Sequence, residues 1–211
     1  MSKFYKTPGV YIEEVSFLPP SVAQVETAIP AFVGYTERAG INGKSVLNRA
    51  IKVNSITEFE AYFGSQFSPT FTLTHPNNPD QSIINIAGQV YGFNLLPSQR
   101  AYLYDAVKDF FTNGGRTCHI VSVGIFLGKK EVKIKKEALL GIQSSSLGNP
   151  KLLGLKSLEK VKEATLVVIP DAVALGDEAY EVYREMLAHC HQMGNRFAIL
   201  DIPDGDQPRR S

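Results

Sequence analysis

The chain has 211 residues, of which 44% are apolar and 20% charged, and its formal net charge is +1. This length suits one large domain or two small ones. The near-neutral charge argues against nucleic acid as a partner, because phosphate binding favours a strongly basic face. No apolar run reaches the roughly 20 residues of a membrane span, and the polar N-terminus is unlike a signal peptide. We therefore expect a protein that is made in a cytoplasm and does not insert into membranes.

The first 20 residues differ in pattern from the rest of the chain. A short β-prone run is preceded by Pro8 and followed by Pro19 and Pro20. Its members are Val10, Tyr11, Ile12, Glu13, Glu14 and Val15. Prolines on both sides hinder a hairpin, so the backbone of this run needs a partner sheet. Two interpretations stay open: an edge strand of its own domain, or an arm that adds a strand to another copy by β-augmentation.

The core begins after this segment with two strands and a helix. Apolar residues at positions 28–36 predict the first core strand, and residues 46–53 predict a second, shorter one. Ser55 followed by Glu58 forms a capping box, in which each side chain satisfies a free backbone amide of the other residue. This box predicts a helix that ends at Gly64.

Two stretches of the core, residues 65–97 and 126–155, are variable in character and are interpreted as surface excursions. The first is rich in Pro and Asn, with strand content expected near residues 89–96. The second contains residues 131–136, whose alternation predicts a hairpin strand with a charged outer face. Ser157 then predicts the cap of a short helix.

A second helix is predicted between the two excursions, over residues 101–113. Its apolar face consists of Leu103, Ala106, Val107 and Phe110. Gly114 and Gly115 end it, and residues 118–123 then predict a strand.

The last third of the chain predicts the fold class. Residues 165–169 and 196–200 are apolar after their first residues, Thr165 and Arg196, and such runs indicate strands buried on both faces of a parallel sheet. A helix predicted over about residues 177–193 joins them in a βαβ unit. Its apolar stripe consists of Ala179, Val182, Tyr183, Met186, Leu187, Cys190 and Met193. The predicted fold class is α/β, with a mixed, largely parallel sheet flanked by helices and an extended N-terminal β-arm.

The run His189, Cys190 and His191 invites a metal hypothesis. Neighbouring positions on a helix point in different directions, so these three side chains do not converge on one ion. We expect Cys190 to point inward and both histidines to point toward the rim. Cys118 and Cys190 both fall in segments with a buried pattern and are expected to be reduced packing residues.

Candidate phosphate and carboxylate sites are also weak. The Gly-Ile-Asn-Gly-Lys-Ser run that starts at Gly40 is similar to a phosphate loop, but Arg38 occupies the position of a required glycine. Asp171 and Asp201 end apolar strands as magnesium-binding carboxylates would, which leaves a nucleotide-binding α/β enzyme as an alternative. Turn capping explains both aspartates more simply. The sequence thus predicts no catalytic residue, no cofactor site and no metal site, and it favours a structural protein over an enzyme.

Five blocks of sequence carry a resemblance to a known family. They are Thr7-Pro-Gly-Val-Tyr-Ile-Glu-Glu, Ile29-Pro-Ala-Phe-Val-Gly-Tyr, Phe59-Glu-Ala-Tyr-Phe-Gly64, Tyr104-Asp-Ala-Val-Lys-Asp-Phe-Phe-Thr-Asn-Gly-Gly115 and Leu166-Val-Val-Ile-Pro-Asp-Ala172. In this order they resemble the contractile tail sheath family of phage tails, R-type bacteriocins and extracellular contractile injection systems. The resemblance spans residues 7 to about 205.

The resemblance implies a structural subunit that stacks with further sheath subunits in hexameric rings around an inner tube protein. Baseplate and terminator or cap proteins are the other implied partners. In the family, arms complete sheets in neighbouring subunits, and contraction drives the tube through a target envelope without nucleotide hydrolysis. Residues 10–15 match the arm strand, so residues 1–20 are expected to form the arm and residues 21–211 the core.

The resemblance also implies a place in a phage tail or tail-like injection particle made in the bacterial cytoplasm. It leaves open which of these particles it is, and which cell is the target. Family members usually continue past the segment that matches residues 196–205, so we expect this chain to lack the family's C-terminal part. It would then be a truncated sheath or a reduced paralogue. The alternative is a sheath initiator or adaptor that does not polymerise alone.

Overall fold

The computed structural model describes residues 28–69, 73–76, 83–93, 100–129, 131–141, 152–203 and 205. The predicted arm strand at residues 10–15 lies outside these ranges. The strands are β1 (Pro30–Thr36), β2 (Gly40–Ile41), β3 (Lys44–Ser45), β4 (Ala50–Val53), β5 (Leu73–Thr74), β6 (Ile83–Ile86), β7 (Gln89–Phe93), β8 (Cys118–Ile125), β9 (Leu166–Val168) and β10 (Phe197–Ile199). The helices are α1 (Ile56–Phe63), α2 (Leu103–Thr112), α3 (Lys136–Leu140) and α4 (Ala179–Met193), with 3₁₀ helices at Gly154–Lys160 and Pro170–Glu178.

Five strands form the main sheet, in the spatial order β10-β9-β1-β8-β4. The central strand β1 runs parallel to β8 and β9, and β10 runs parallel to β9, whereas β4 is antiparallel to β8. In this register Phe32 lies opposite Ile120 on one side and Val168 on the other. The α/β class with a mixed, largely parallel sheet flanked by helices is confirmed.

Side chains of β1 alternate between two apolar layers, and all seven residues of the strand are buried. Ala31 and Val33 belong to the layer formed with α3, α4 and the first 3₁₀ helix. Phe32 belongs to the layer formed with α1 and α2, where its ring centroid lies 5.9 Å from that of Phe110. Burial on both faces is typical of a central strand in a parallel sheet with helices on both sides.

Two smaller antiparallel sheets lie outside the main one. β2 and β3 form a hairpin that turns at Asn42 and Gly43, whose φ angles of 50° and 74° suit a tight turn. The run similar to a phosphate loop therefore forms a hairpin and does not precede a helix. The other sheet, in the order β5-β7-β6, lies in the first excursion. The predicted strand content is confirmed over Gln89–Phe93.

Helix α1 has the predicted Ser55 cap and the predicted end, but the reciprocal half of the capping box differs by one residue. The Ser55 hydroxyl oxygen accepts the N–H of Glu58 at 3.1 Å. The Glu58 carboxylate accepts the N–H of Asn54 at 2.8 Å, one residue before the cap. Phe59 faces the core with 1% of its surface exposed, and Gly64 follows the last helical residue. Helix α2 and strand β8 also occupy the predicted positions.

Two short predictions, one in the second excursion and one just after it, are wrong. Residues 131–136 form no paired strand, and α3 begins at Lys136. Their alternation comes from Val132 and Ile134, which both pack in the main core, Val132 with 3% of its surface exposed. Ser157 lies inside the first 3₁₀ helix and does not cap it. Its hydroxyl donates to the carbonyl of Gly154 at 2.7 Å, so it serves a C=O group and not a free N–H group.

The predicted helix at residues 177–193 is shorter than expected. The second 3₁₀ helix runs as far as Glu178, and Gly176, with φ 58° and ψ −127°, separates it into two turns. Within α4, Leu187 is 53% exposed because it lies beside the buried stripe and not on it. The predicted strand at residues 46–53 is also shorter, since β4 begins at Ala50.

Candidate functional site: a buried junction and two apolar strand edges

A fully buried carboxylate joins three segments of the fold. Asp171 follows β9 and has 0% of its surface exposed. One of its oxygens accepts the N–H of Tyr35 at 2.6 Å, and the other accepts the N–H of Tyr102 at 2.6 Å. Because Tyr102 precedes α2 and has no side-chain cap, Asp171 caps this helix from a distant segment. Burial raises the pKa of Asp171 to about 6, although the backbone N–H groups act to lower it.

Gly34 allows the carboxylate to approach β1. A Cβ atom at this position would lie 2.5 Å from Asp171 Oδ2 and 3.1 Å from Leu103 Cβ. A side chain would therefore displace either the carboxylate or the start of α2. We refer to Gly34, Tyr35, Tyr102, Leu103 and Asp171 together as the Asp171 junction.

The Asp171 junction bears on the nucleotide-binding alternative. The carboxylate of Asp171 is enclosed and bonded to backbone N–H groups, whereas Asp201 is exposed. Asp171 is thus a helix cap and offers no oxygen to a ligand in solvent. Within the described ranges, no three His, Cys, Asp or Glu side chains are grouped as metal ligands. In the same part of the chain, no helix is both long and apolar enough to cross a bilayer.

The expectation that both histidines of α4 point to the rim is wrong for His189, which is 6% exposed. Its Nε2 lies 3.2 Å from Nη1 of Arg196, and a guanidinium only donates, so His189 accepts this bond as the neutral ring. Burial, together with the Arg196 charge, lowers the pKa of His189 to about 4. Arg196 also donates to the carbonyls of Leu158 and Val161, at 3.1 and 2.8 Å. Arg196 therefore caps the C-terminal end of the first 3₁₀ helix.

Both cysteines are free thiols in the core, as predicted. Cys118 has 0% of its surface exposed, and burial raises its pKa to about 12. Burial also raises the pKa of Cys190. Because the thiolate is the reactive form, these cysteines are packing residues and not nucleophiles.

Strand β10 is exposed on one face, contrary to the prediction that it is buried on both. Phe197 is 76% exposed and Ile199 45% exposed, whereas Ala198 packs against the core on the α4 side. The layer of α1 and α2 covers residues of β1, β4, β8 and β9 but does not reach β10. Ile202, just beyond the strand, is 78% exposed. An apolar strand can therefore end a sheet without a cover on its second face.

Strand β6 is a second exposed apolar strand, which the sequence analysis did not identify. Ile83, Ile84 and Ile86 are 61%, 44% and 44% exposed. A signal was present in the sequence, because no charged residue stands between Asp80 and Arg100. Surface segments normally carry charges, so a long uncharged stretch is the feature of the sequence that could have pointed to exposed apolar residues here.

No protein-family model matches the chain, and no curated protein matches it. Among solved structures, the chain is similar to the cryo-EM structure of the anti-feeding prophage (AFP) helical sheath in the contracted state. The sequence identity is 21%, the match covers 97% of this chain and 42% of that chain, and the TM-score is 0.47. The chain thus spans less than half the length of that protein.

Proposed function

We propose that this chain is a structural subunit of a contractile tail sheath. In this proposal, copies assemble as rings around an inner tube, between a baseplate and a terminator or cap protein. Residues 10–15 form the arm strand that pairs with a sheet in a neighbouring copy. The globular body carries no chemistry, and the free energy for contraction comes from repacking contacts between bodies.

One observation carries the proposal: four of the five blocks that resemble the sheath family contact one another in the folded core. The Tyr104 hydroxyl donates to the Glu60 carboxylate at 2.6 Å, which joins the third and fourth blocks. Phe32 packs on Phe110, which joins the second and fourth. The bond between Tyr35 N–H and Asp171 joins the second and fifth, 136 positions apart in sequence. The packing of such distant segments into one unit supports a resemblance between the whole globular body and a sheath subunit.

The Asp171 junction suits the mechanical role that the proposal requires. A sheath body has to move as one unit while its arms hold the lattice together. The junction ties β1, the start of α2 and the segment after β9 through two bonds of 2.6 Å to a single buried carboxylate. Buried hydrogen-bonded networks of this kind make a core rigid.

Negative-stain electron microscopy tests this function directly. The sample is the full 211-residue chain, both purified alone and in the particles with which it copurifies. We expect striated hollow cylinders in long, narrow or short, wide forms. Small discrete particles only, together with saturable binding in a nucleotide titration, would overturn the proposal in favour of the enzyme alternative.

The initiator or adaptor alternative predicts a different result. Such a chain would remain as small particles in gel filtration and would bind one end of a preformed sheath lattice. Gold labelling of the chain in intact particles distinguishes the two roles, because a sheath subunit labels the whole length of the cylinder and an initiator labels one end.

A further inference from the structure

The sequence contains two Asn-Gly pairs, Asn42-Gly43 and Asn113-Gly114, and both are exposed. In such a pair the backbone nitrogen of the glycine can attack the side-chain carbonyl carbon of the asparagine, because glycine has no Cβ to obstruct the approach. Asparagine is accordingly among the thermolabile residues of proteins. Since the two pairs share both sequence and exposure, hydrogen bonding and local stability decide which of them reacts.

The second pair is held at the C-terminal end of α2. The side-chain amide of Asn113 donates to the carbonyl of Asp109 at 2.8 Å. The N–H of Gly114 donates to the carbonyl of Phe111 at 3.1 Å, and the N–H of Gly115 donates to that of Phe110 at 2.9 Å. Both reacting groups of this pair are therefore engaged, and the end of the helix has to unfold before they can meet.

The first pair forms the turn of the β2–β3 hairpin and lacks these restraints. Among the described residues, neither the side-chain amide of Asn42 nor the N–H of Gly43 has a hydrogen-bond partner. The hairpin consists of only two residue pairs and lies outside the main sheet. A two-stranded hairpin has little stability of its own, so it opens at a small cost in free energy. Opening also releases Asn42 from a φ of +50°, which is uncommon for a residue other than glycine.

We propose that Asn42 is a site of spontaneous deamidation and that Asn113 is protected from it. When the hairpin opens, the nitrogen of Gly43 loses its proton to hydroxide and forms a bond to Cγ of Asn42. The bond from Cγ to the side-chain nitrogen breaks, and ammonia leaves with a proton from water. The succinimide ring that results is hydrolysed by water at either carbonyl, which gives aspartate or isoaspartate at position 42.

Both products change the surface of the body at one point. Each places a carboxylate at the tip of the hairpin, next to the exposed Lys44. Isoaspartate also adds a carbon atom to the main chain of a two-residue turn, whose length sets the pairing of β2 with β3. The inference concerns the reactivity of the chain itself and does not depend on the proposed function.

Peptide mapping by mass spectrometry tests the site. The folded, full-length protein is incubated in a mildly alkaline buffer and then digested after lysine and arginine. This digestion gives peptides 39–44 and 109–116, each of which contains a single asparagine. The same incubation in concentrated urea is the control, because both Asn-Gly pairs then lack structure and should react at similar rates. Asn42→Gln is the control variant, since attack on its longer side chain requires a less favourable six-membered ring.

We expect the folded protein to deamidate at Asn42 several-fold faster than at Asn113, and we expect this ratio to fall toward one in urea. In Asn42→Gln, the product in peptide 39–44 should disappear and that in peptide 109–116 should stay unchanged. Equal rates at the two sites in the folded protein, or a faster reaction at Asn113, would overturn the inference. So would a folded protein that forms no product at Asn42 while the chain in urea reacts there.

Discussion

At the scale of single residues, the described part of the chain contains two buried charges of opposite sign, neither of which has a charged partner among the described residues. Asp171 holds the N-terminal end of α2, and Arg196 holds the C-terminal end of the first 3₁₀ helix. A helix has positive potential at its N-terminus and negative potential at its C-terminus, so each charge has the favourable sign. Both belong to segments distant from the helix that they cap. Each therefore fixes tertiary structure as well as a helix end.

Replacement of Asp171 measures the strength of its junction. Asp171→Ala leaves the buried N–H groups of Tyr35 and Tyr102 without an acceptor, and we expect it to reduce the free energy of unfolding by about 2–4 kcal/mol. Urea denaturation measures the loss. Asp201→Ala is the matched control, because Asp201 also follows an apolar strand but is exposed. Equal effects of the two substitutions would show that the junction contributes no special stability.

His189 makes stability depend on pH. Its pKa is about 4 in the folded protein and 6.5 in its ordinary state, so the unfolded chain binds more protons between these values. This contribution to stability is present above pH 6.5 and is lost as the pH falls toward 4. Asp171 has a raised pKa and therefore changes stability with pH in the opposite direction. A variant that tests His189 must retain Asp171, so that its effect is the same in the variant and in the unmodified chain.

The test compares the unmodified chain with His189→Gln, in which the glutamine oxygen accepts from Arg196 in place of the ring. We expect the free energy of unfolding of the unmodified chain to rise with pH more steeply than that of the variant, by about 1 kcal/mol per pH unit near pH 5.5. Urea titrations at several pH values measure both slopes. Parallel slopes would mean that His189 is protonated in the folded state.

At the scale of elements, local signals predicted the segments whose partners are near in sequence. The Ser55 and Glu58 box predicted α1, and the apolar spacing predicted α2 and β8, because caps and periodicity act within a few residues. The strand prediction for residues 131–136 was wrong, because an extended segment that packs Val132 in the core has the same alternation as a paired strand.

Exposure was harder to predict than structure. The apolar run at Phe197–Ile199 correctly predicts a strand. Whether that strand is buried depends on whether a helix from a distant part of the chain packs on it. Asp171 was interpreted as a local turn cap, whereas it caps α2, because its partners at Tyr35 and Tyr102 are distant in sequence and leave no local pattern. The exposed β6 was missed, because an uncharged stretch was interpreted only as an excursion.

Glycine at position 154 allows α3 to pack closely on the first 3₁₀ helix. Gly154 has a φ of +49°, and a Cβ there would meet the carbonyl oxygens of Ala138 and Leu139. Gly128 has a φ of +72° with no atom within 4 Å, so Gly128→Ala incurs only the backbone penalty of about 1–2 kcal/mol. We expect Gly154→Ala to lower stability by at least about 2 kcal/mol more, as measured by thermal and urea unfolding. Equal losses of stability in the two variants would show that α3 moves to accommodate the added methyl group.

At the scale of the whole molecule, the proposal separates a body that folds alone from an arm that assembles it. The main sheet begins at Pro30, so deletion of residues 1–16 should remove no core strand. We expect the deletion to leave the melting temperature within a few degrees of the full chain and to abolish cylinders in electron microscopy. A large fall in melting temperature would instead place the arm strand in the chain's own domain.

A single substitution tests the arm strand more narrowly. Ile12→Pro removes a backbone donor and restricts φ in the middle of residues 10–15, so we expect it to prevent tubular assembly without a change in stability. Ser16→Pro, just outside the strand, is the control and should assemble. Normal cylinders from Ile12→Pro would exclude these residues as the pairing segment.

The position of β1 also determines when the protein can fold. Ala31 lies opposite His119 on one side and Val167 on the other, so both neighbours of the central strand are synthesised long after it. Non-local parallel pairing is slow because a long loop must close before any contact forms. On the ribosome, β1 therefore stays unpaired until β8 emerges and is flanked on both sides only once β9 follows. During translation this strand is an exposed apolar segment, of the kind that makes a nascent chain prone to aggregation until its partners are made.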